Sequence, residues 1–334
     1  MHLKKLTFVN KYLKFIIGGV ISAAGIYLAF KGEDFGELKN QIKSVNLMGF
    51  IAANILIVLS CFVRAYRWKL IIDPVENISF HKVFSATMVG YFGNGILAFR
   101  LGELLRAYSV TSGQVMSATQ AFGTVILERI LDLLMVLLVF ILLIPWFPFE
   151  QDGIRLAIYI FSGTTLVIII GIVLSIKLKM VDKIGSMKYF SKGSGEKVFN
   201  TLAKIFDGAI LIKDTNHAPQ IIFSSIFLWS FYFVVTYILL DACGIPLDIV
   251  GTGILLVLGS VAIGIPALPG SAGTYDAGIK FSLMVVFGIA SDQALTYAIV
   301  SHAVSYFPLV ILGGIYFMAG NVNIKDVKKE SLSS

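Results

Sequence analysis

The side chains of this sequence that could do chemistry are ionisable groups placed inside apolar segments. Residues 90–108 hold the first group, in which Arg100, Glu103 and Arg106 recur every three residues and therefore share one helical face. Three glycines and Asn94 precede them, so the chain can break there and begin a helix whose free N–H groups, together with Arg100, would attract an anion. In the structural alternative, Arg100 and Arg106 only neutralise Glu103 and the acids of the next apolar run.

A second group follows in residues 264–280, where prolines and glycines interrupt another apolar run. They prevent a continuous helix, and a new helix after Gly273 would present a second set of free N–H groups. Asp276 and Lys280 lie four residues apart and can pair. The alternative interpretation is therefore that this segment is only a kinked helix with an internal ion pair. The predicted binding residues of this segment are Pro269, Gly270, Ser271, Gly273 and Asp276.

Glu128, Arg129 and Asp132 form a third group in the middle of an apolar run. The two acids lie one helical turn apart, a pattern compatible with acid–base chemistry or with a divalent cation site. No metal-ligating histidine and no nucleophile accompany them in the sequence, so we interpret them as counter-ions of Arg100 and Arg106. A proton or cation site is the alternative, and we predict no catalytic residue, metal or cofactor.

Two further sets carry weaker predictions. Arg64 and Arg67 stand beside Trp68, a combination typical of the inner end of a membrane span, with docking of anionic head groups as the functional alternative. His302 and Tyr306 share a face of the last apolar run, where an interhelical hydrogen bond is favoured over a proton relay.

The composition explains why these charges are informative. Hydrophobic residues make up 57% of the chain and charged residues 14%, against about 25% charged in a soluble protein. The apolar runs approach the roughly 20 residues that a spanning helix needs, which predicts an all-α polytopic membrane protein. A soluble enzyme, a nucleic-acid-binding module and a secreted disulfide scaffold are excluded. Because a charge at the bilayer centre costs roughly 2.5–3.5 kcal/mol, the ionisable groups must be paired or face water.

Loop charges predict the orientation in the cell membrane. Lysines and arginines concentrate near both termini and in segments 64–82 and 177–218, whereas 145–153 and 241–249 contain none. The positive-inside rule therefore places the N- and C-termini in the cytoplasm. We expect one transmembrane domain over 1–320, with 177–218 as a cytoplasmic loop that includes a membrane-surface amphipathic helix, and a cytoplasmic tail over 321–334.

These orientations leave too few crossings for every apolar run to span the membrane. We predict six full spans plus two re-entrant helical hairpins, which contain the first two charged groups. Superposing Gly102 on Gly273 gives an offset of 171 residues (273 − 102) and relates 47–144 to 218–315 as an inverted repeat. Such repeats point to a transport site at the membrane midplane, lined by broken helices. The predicted spans are 14–30, 47–63, 119–144, 154–176, 219–240 and 293–318.

At these same residues the chain resembles the lysylphosphatidylglycerol synthase transmembrane family, also described as flippase-like or UPF0104. The resemblance lies in RAYRW from Arg64, in the Asn94–Arg106 pattern, in Glu128-Arg-x-x-Asp132 and in LPGSAGTYD over 268–276. The sequence departs from the family in three places: Ala98 replaces a frequent proline, Ser271 a usual second glycine, and Asp276 a common glutamate.

The resemblance implies translocation of a lipid between leaflets. In bifunctional members this domain flips an aminoacylated phospholipid made by a fused synthase domain. Fourteen residues follow residue 320 here, so aminoacyl transfer is not expected. Other relatives are associated with isoprenoid-linked sugars, which keeps a polyprenyl phosphate open as substrate.

We therefore expect a lipid flippase that moves an anionic phospholipid or polyprenyl-phosphate head group through a polar cavity at mid-membrane. The alternatives are a membrane transferase with Glu128 or Asp132 as base, and a scaffold for a separate glycosyltransferase. The expected partners are the lipid and the membrane, not nucleic acid. A homo-oligomer or a partner synthase stays open.

Overall fold

The computed structural model describes residues 19–97, 100–147, 216–265 and 269–320, with seven single helical residues between 156 and 171. Every regular element in these ranges is helical. We number the ten main helices of this part α1 Gly19–Phe30, α2 Phe35–Ser44, α3 Leu47–Ile72, α4 Phe80–Ile96, α5 Gly102–Thr111, α6 Ala118–Leu143, α7 Ala218–Ala242, α8 Ile249–Gly264, α9 Thr274–Phe287 and α10 Ser291–Ala319.

Three helices of the described part, α3, α7 and α10, are long and apolar enough to cross a membrane. They contain 26, 25 and 29 residues, against the roughly 20 that a span requires. Helix α6 has the same 26-residue length as α3 but carries the third charged group near its centre. The predicted all-α membrane class is therefore confirmed. The span predicted at 154–176 is described only at its seven single residues, and the tail 321–334 and nearly all of the 177–218 loop lie outside the described residues.

Polar residues in the sequence fix where several of these helices begin. Asn46 accepts a hydrogen bond from the backbone N–H of the third helical residue of α3, at 3.1 Å, and Asp248 does the same for α8 at 2.7 Å. Helix α6 begins with a capping box, in which Ser117 and Gln120 each accept from the other's backbone N–H. Each cap satisfies donors that the first helical turn leaves unpaired.

Two helical hairpins, α4–α5 and α8–α9, are held together by small residues at their crossings. A Cβ added to Gly93 of α4 would lie 2.6 Å from the Cα of Gly102 in α5. A Cβ added to Gly278 of α9 would lie 2.5 Å from the Cβ of Ala262 in α8. Backbones can approach this closely only where side chains are minimal, as in packed membrane helices. The arms of each hairpin are consequently in direct contact.

Long helices pack antiparallel around these hairpins. The backbone N–H of Asn46, just before α3, donates to the carbonyl of Ala242 at the end of α7, at 2.9 Å. At the other end, Arg67 of α3 donates to Ser225 near the start of α7, at 3.2 Å. Helices α4 and α10 also run antiparallel, since Tyr306 donates to the Gly95 carbonyl, at 3.1 Å, while the later Tyr316 contacts the earlier Phe84.

The helix bounds follow the 171-residue offset closely. Adding it to Leu47–Ile72 gives 218–243, beside the observed Ala218–Ala242. The two non-glycine residues with positive φ in the described part, Arg100 at 54° and Ser271 at 60°, are separated by the same offset (271 − 100). Corresponding helices α3 and α7 run antiparallel, which an inverted relationship requires.

The helical core is packed with buried apolar side chains, and large apolar side chains are also exposed on the outer surface. Trp68, Ile72 and Leu240 are at most 1% exposed in the main cluster between α3, α4, α7 and α10. By contrast, Phe223 and Met318 are more than 70% exposed. Large apolar side chains exposed in this way are suited to contact with lipid.

Candidate functional site

The most buried acid of the site is Glu128 on α6, whose side chain is fully excluded from solvent. Arg106 donates to its Oε2 at 2.8 Å. Arg64 donates to Oε1, and a guanidinium nitrogen of Arg67 lies 3.5 Å from the same oxygen. A buried carboxylate needs such partners because removing it from water is costly. Three helices, α3, α5 and α6, are therefore tied together at Glu128.

Asp132 lies one turn further along α6 and shares two of the same arginines. Arg67 donates to its Oδ1 at 2.7 Å, and Arg64 donates to its Oδ2 at 3.1 Å. Arg129 also donates to Oδ2, at 3.3 Å. The two acids thus form one continuous ion network with the arginines, as charge-assisted hydrogen bonds favour.

The outer edge of the network is the pair Glu103–Arg129. The Arg129 Nε lies 2.8 Å from the Glu103 Oε1, and their side chains are 33% and 17% exposed. Asp132 is 13% exposed, whereas Arg67 is completely buried. The network therefore runs from a fully buried end at Arg67 to a more accessible side at Arg129.

Aromatic side chains and hydroxyls hold the arginines in place. Tyr232 of α7 accepts a hydrogen bond from Arg64 at 3.1 Å. The Arg106 guanidinium lies over the Trp68 ring, 3.7 Å from its centroid, and Trp68 donates to Thr124 at 2.9 Å. A cation over a desolvated indole ring gains about 2 kcal/mol. Sequence analysis missed Tyr232, because its position in a separate apolar run gave no signal of this contact.

The network contains more positive than negative groups. In the described part of the chain, four arginines (Arg64, Arg67, Arg106, Arg129) meet three carboxylates (Glu103, Glu128, Asp132). The Nε atoms of Arg67 and Arg106 are buried without a hydrogen-bond partner among the described residues. Within the described residues the site thus has one more positive than negative group and spare donors, which favour an anion.

Arg100 adds a further cation beside the network. Its side chain is exposed, and it lies within electrostatic range of Arg129 and Glu103. It donates to the Ile263 carbonyl in the last turn of α8, at 2.5 Å, where a helix presents its negative end. Its positive φ of 54° costs about 1–2 kcal/mol. Arg100 therefore joins the tips of the two hairpins.

The structure corrects two predictions about these arginines. Glu128 pairs with Arg106 as expected, but Arg64, Arg67 and Arg129 take the place predicted for Arg100 as partners of the α6 acids. Arg64 and Arg67 were predicted at an exposed inner membrane surface, yet they are 6% and 0% exposed. The reason is that α3 continues past its predicted end at residue 63 to Ile72, so both arginines face the acids of α6. In this conformation neither is available to dock a head group from the surface.

Asn94 lies at the crossing of α4 and α5, beside Gly102. Its Oδ1 is buried without a hydrogen-bond partner among the described residues. Native structures rarely leave such an atom unsatisfied, and a ligand or water is the usual partner. Asn94 lies near the first hairpin tip, and its role in binding stays a prediction.

In the second charged group, the Asp276–Lys280 pair that the sequence left open does not form. Asp276 accepts from the Gly273 N–H at 2.9 Å and contacts His302 Nδ1 at 2.8 Å. Lys280 instead donates to Glu33 and to the Ala29 carbonyl, both at 2.6 Å. The reason is that Asp276 caps α9 and faces α10, whereas Lys280 faces the carbonyl end of α1, which favours a cation.

The second hairpin tip, residues 269–273, lies between α1 and α10. Pro269 and Ser271 are half-buried. Gly273 fits against α1, since a Cβ on Gly25 would lie 2.5 Å from its carbonyl carbon. Gly270 fits against α10, since its own Cβ would lie 2.5 Å from the Tyr306 ring. This tip is consequently fixed on two sides, and Tyr306 also reaches the first tip at Gly95.

Known proteins resemble the chain over most of its length. A UPF0104 membrane protein of Methanocaldococcus jannaschii is 26% identical over 286 residues, covering 79% of this chain and 82% of that protein. A UPF0104 membrane protein of Methanothermobacter thermautotrophicus is 25% identical over 316 residues, covering 88% of each. The glycosyltransferase AglD of Haloferax volcanii is 22% identical over 97% of this chain, which spans only 57% of that protein.

Residues 15–313 match the family described as the lysylphosphatidylglycerol synthase TM region. The matched segment contains the arginine–carboxylate network and both hairpin tips. The resemblance seen in the sequence motifs is confirmed, and the chain belongs to the lysylphosphatidylglycerol synthase transmembrane-region family.

Proposed function

We propose that this protein is a lipid flippase that moves an anionic head group, on a phospholipid or a polyprenyl phosphate, between membrane leaflets. The observation that carries the proposal is the excess of guanidinium groups in the described part of the site. With Arg100 included, five arginines stand against three carboxylates. A phosphate, with one or two negative charges, would balance this excess.

The open side of the network supports entry of a phosphate without disruption of its buried part. Arg100 and Arg129 are accessible there, and Arg129 pairs with Glu103 on α5 and with Asp132 on its own helix. Glu128 remains enclosed by its own three arginines. The phosphate would thus contact Arg100 and Arg129 and compete with Glu103, which gives a site that can both bind and release it.

The lipid chains need an apolar path beside the charged site. A groove of about 530 Å³ lies on the surface between α3, α4 and α7. Its lining is almost entirely apolar and aromatic, and it reaches Ser224, next to the Ser225 hydroxyl that binds Arg67. An apolar lipid chain can occupy this groove, which adjoins the network at its Arg67 end. The aromatic lining residues are Phe62, Tyr66, Phe80, Phe223 and Phe227.

The membrane topology is part of the proposal. We infer six spans and two re-entrant hairpins in one domain, arranged as inverted repeats over 47–144 and 218–315. This topology accounts for the antiparallel α3–α7 pair and for the shared 171-residue offset. Both termini would be cytoplasmic in the cell membrane. Alternating exposure of a fixed site by two such halves is a general transport mechanism.

Reconstitution into liposomes tests the function. Vesicles would contain a fluorescent phosphatidylglycerol, a fluorescent polyprenyl phosphate or a fluorescent phosphatidylcholine, and transfer would be measured by quenching from outside. Faster transfer of an anionic lipid is expected. Arg100→Gln and Arg129→Gln should each slow it about tenfold or more, since a hydrogen bond to a charged group contributes about 1.5–3 kcal/mol.

The matched control is Lys69→Gln, which breaks an ion pair with Asp73 outside the site. It should leave transfer unchanged. Equal transfer of all three lipids, or normal transfer by both arginine variants, would refute the proposal.

A second candidate is a membrane transferase, or a scaffold for one, and the name of the glycosyltransferase AglD favours it. Glu128 and Asp132 are poor candidates for its base, because each is already bound to three arginines and a base must accept a proton from substrate. Formation of a glycosylated lipid in the same vesicles, without lipid transfer, would establish this alternative.

A further inference from the structure

His302 on α10 connects the second hairpin tip to α9. Its Nδ1 lies 2.8 Å from the Asp276 Oδ1, and its Nε2 lies 3.0 Å from the Gly270 carbonyl oxygen. The side chain is 18% exposed, so a proton can reach it. None of the arginines of the network takes part in these contacts.

Both partners of the imidazole can only accept a hydrogen bond. A carbonyl oxygen has no proton, and an ionised carboxylate has none. A neutral imidazole donates from one nitrogen only, whereas the imidazolium donates from both. The observed pair of contacts is therefore complete only when His302 carries an extra proton.

The geometry points to His302 as a proton-binding latch that holds the second hairpin tip closed against α9 and α10. With the proton bound, Nδ1–H donates to Asp276 and Nε2–H donates to Gly270. When Nε2 loses its proton to water, its lone pair faces the lone pairs of the Gly270 oxygen. One hydrogen bond is lost and a repulsive contact replaces it, which frees the tip.

Protonation of His302 is the main change of charge that the groups around this ring allow. Among the described residues, the ionisable groups that face the ring are Asp276 and Tyr275 on α9 and Tyr306 on α10. The Tyr275 and Tyr306 rings lie 5.3 and 5.9 Å from the imidazole centroid. Neutral tyrosines do not change charge in the range where histidine titrates. Lys280, one turn from Asp276, is occupied by Glu33.

The tip that the latch holds is a strained segment. Ser271 has a φ of 60°, which a residue with a side chain rarely adopts. Such a conformation persists only when its surroundings enforce it. Release of Gly270, the residue before it, would let the tip relax away from Tyr306 and from the first hairpin tip. In the proposed flippase, on which this last step rests, proton release would then open the path between the two hairpins.

Cysteine accessibility tests the latch without any lipid activity. Ala272→Cys would be made in the full-length protein with Cys61 and Cys243 replaced by alanine, and its labelling rate measured in detergent between about pH 5 and about pH 9. Val115→Cys, at a site 95% exposed, reports the pH dependence of the thiol reaction itself. The ratio of the two rates should rise about tenfold with pH, as loss of one charge-assisted hydrogen bond predicts.

His302→Gln should remove the pH dependence of this ratio, and His81→Gln, at an exposed histidine near the start of α4, should keep it. Asp276→Asn should move the transition to lower pH, because it removes the charge that stabilises the imidazolium. A ratio in the parent protein that changes less than about twofold, or an unchanged dependence in His302→Gln, would overturn the latch.

The vesicle assay separates the latch from the proposed function. If lipid transfer occurs but the ratio does not respond to pH, the latch is wrong and the flippase stands. If the ratio responds but no lipid is transferred, the latch stands and the proposed function is wrong.

Discussion

Substitution of Glu128 by glutamine is the sharpest test of the ion network. The glutamine keeps the size of the side chain but removes the only negative charge that Arg106 contacts within the described network. It leaves four arginines with two carboxylates. Breaking a buried ion pair from one side costs about 3–5 kcal/mol, because the remaining charge stays buried without compensation.

That cost is large against the total stability of a folded protein. Domains are stable by about 5–15 kcal/mol, so Glu128→Gln should remove about a fifth or more of that stability. Thermal unfolding in detergent should show a midpoint lowered by roughly 6–20 °C, taking about 2–4 °C for each kcal/mol. The shift should persist in high salt, because the pair is screened little by ions in solvent.

Glu103→Gln is the matched control for this experiment. Glu103 belongs to the same network but pairs with Arg129 at its open side. Because the Glu103 and Arg129 side chains keep 17% and 33% of their surface exposed, water can compensate part of the lost pairing, and this variant should lower the midpoint clearly less than Glu128→Gln does. Equal stability of Glu128→Gln and the parent protein, or equal losses in the two variants, would refute the assignment of a buried core and an open edge.

Three further predictions follow from other contacts. Lys280→Met should destabilise the fold by about 3–5 kcal/mol, because Glu33 loses its buried partner. In thermal unfolding, the double variant that also carries Glu33→Gln should recover part of this loss. Gly93→Ala should destabilise the α4–α5 hairpin by about 1–3 kcal/mol, since its Cβ would lie 2.6 Å from the Gly102 Cα. Gly264→Ala serves as its control, because the added Cβ meets nothing within 4 Å. In intact cells an impermeant thiol reagent should label Asp241→Cys from outside but not Val115→Cys, and labelling of residue 115 from outside would overturn the proposed topology.

The sequence was sufficient to predict the all-helical membrane class and the long apolar helices, for local reasons. Apolar runs of the right length mark α3, α7 and α10. These features depend only on neighbouring residues. The end of α3 was misjudged because Arg64 and Arg67 were interpreted as a polar boundary. Their partners lie more than 60 residues further along the chain, as in Arg64 with Glu128, and no local pattern encodes that pairing.

The pairing of Lys280 was decided by distant residues in the same way. The four-residue spacing from Asp276 satisfies the rule for a pair on one helix, and that rule is correct for an isolated helix. In the folded protein Glu33 competes for Lys280 from 247 residues away, and the backbone of Gly273 and the ring of His302 compete for Asp276. Tertiary contacts therefore decide which of several local pairings forms.

Stability alone does not account for the arginine network. Replacing a buried ion network with apolar side chains of similar size is often neutral or stabilising, so a helical bundle has no need of one. A purely structural network would also be expected to balance its charges, yet in the described part four arginines face three carboxylates and Arg100 stands beside them. Its accessible members lie together at one edge, Arg100, Glu103 and Arg129, whereas the fully buried Glu128 and Arg67 anchor the other. This division into a fixed interior and an open, electropositive edge is what a reversible phosphate site requires, because the interior holds the guanidinium groups in position while the edge exchanges its partner.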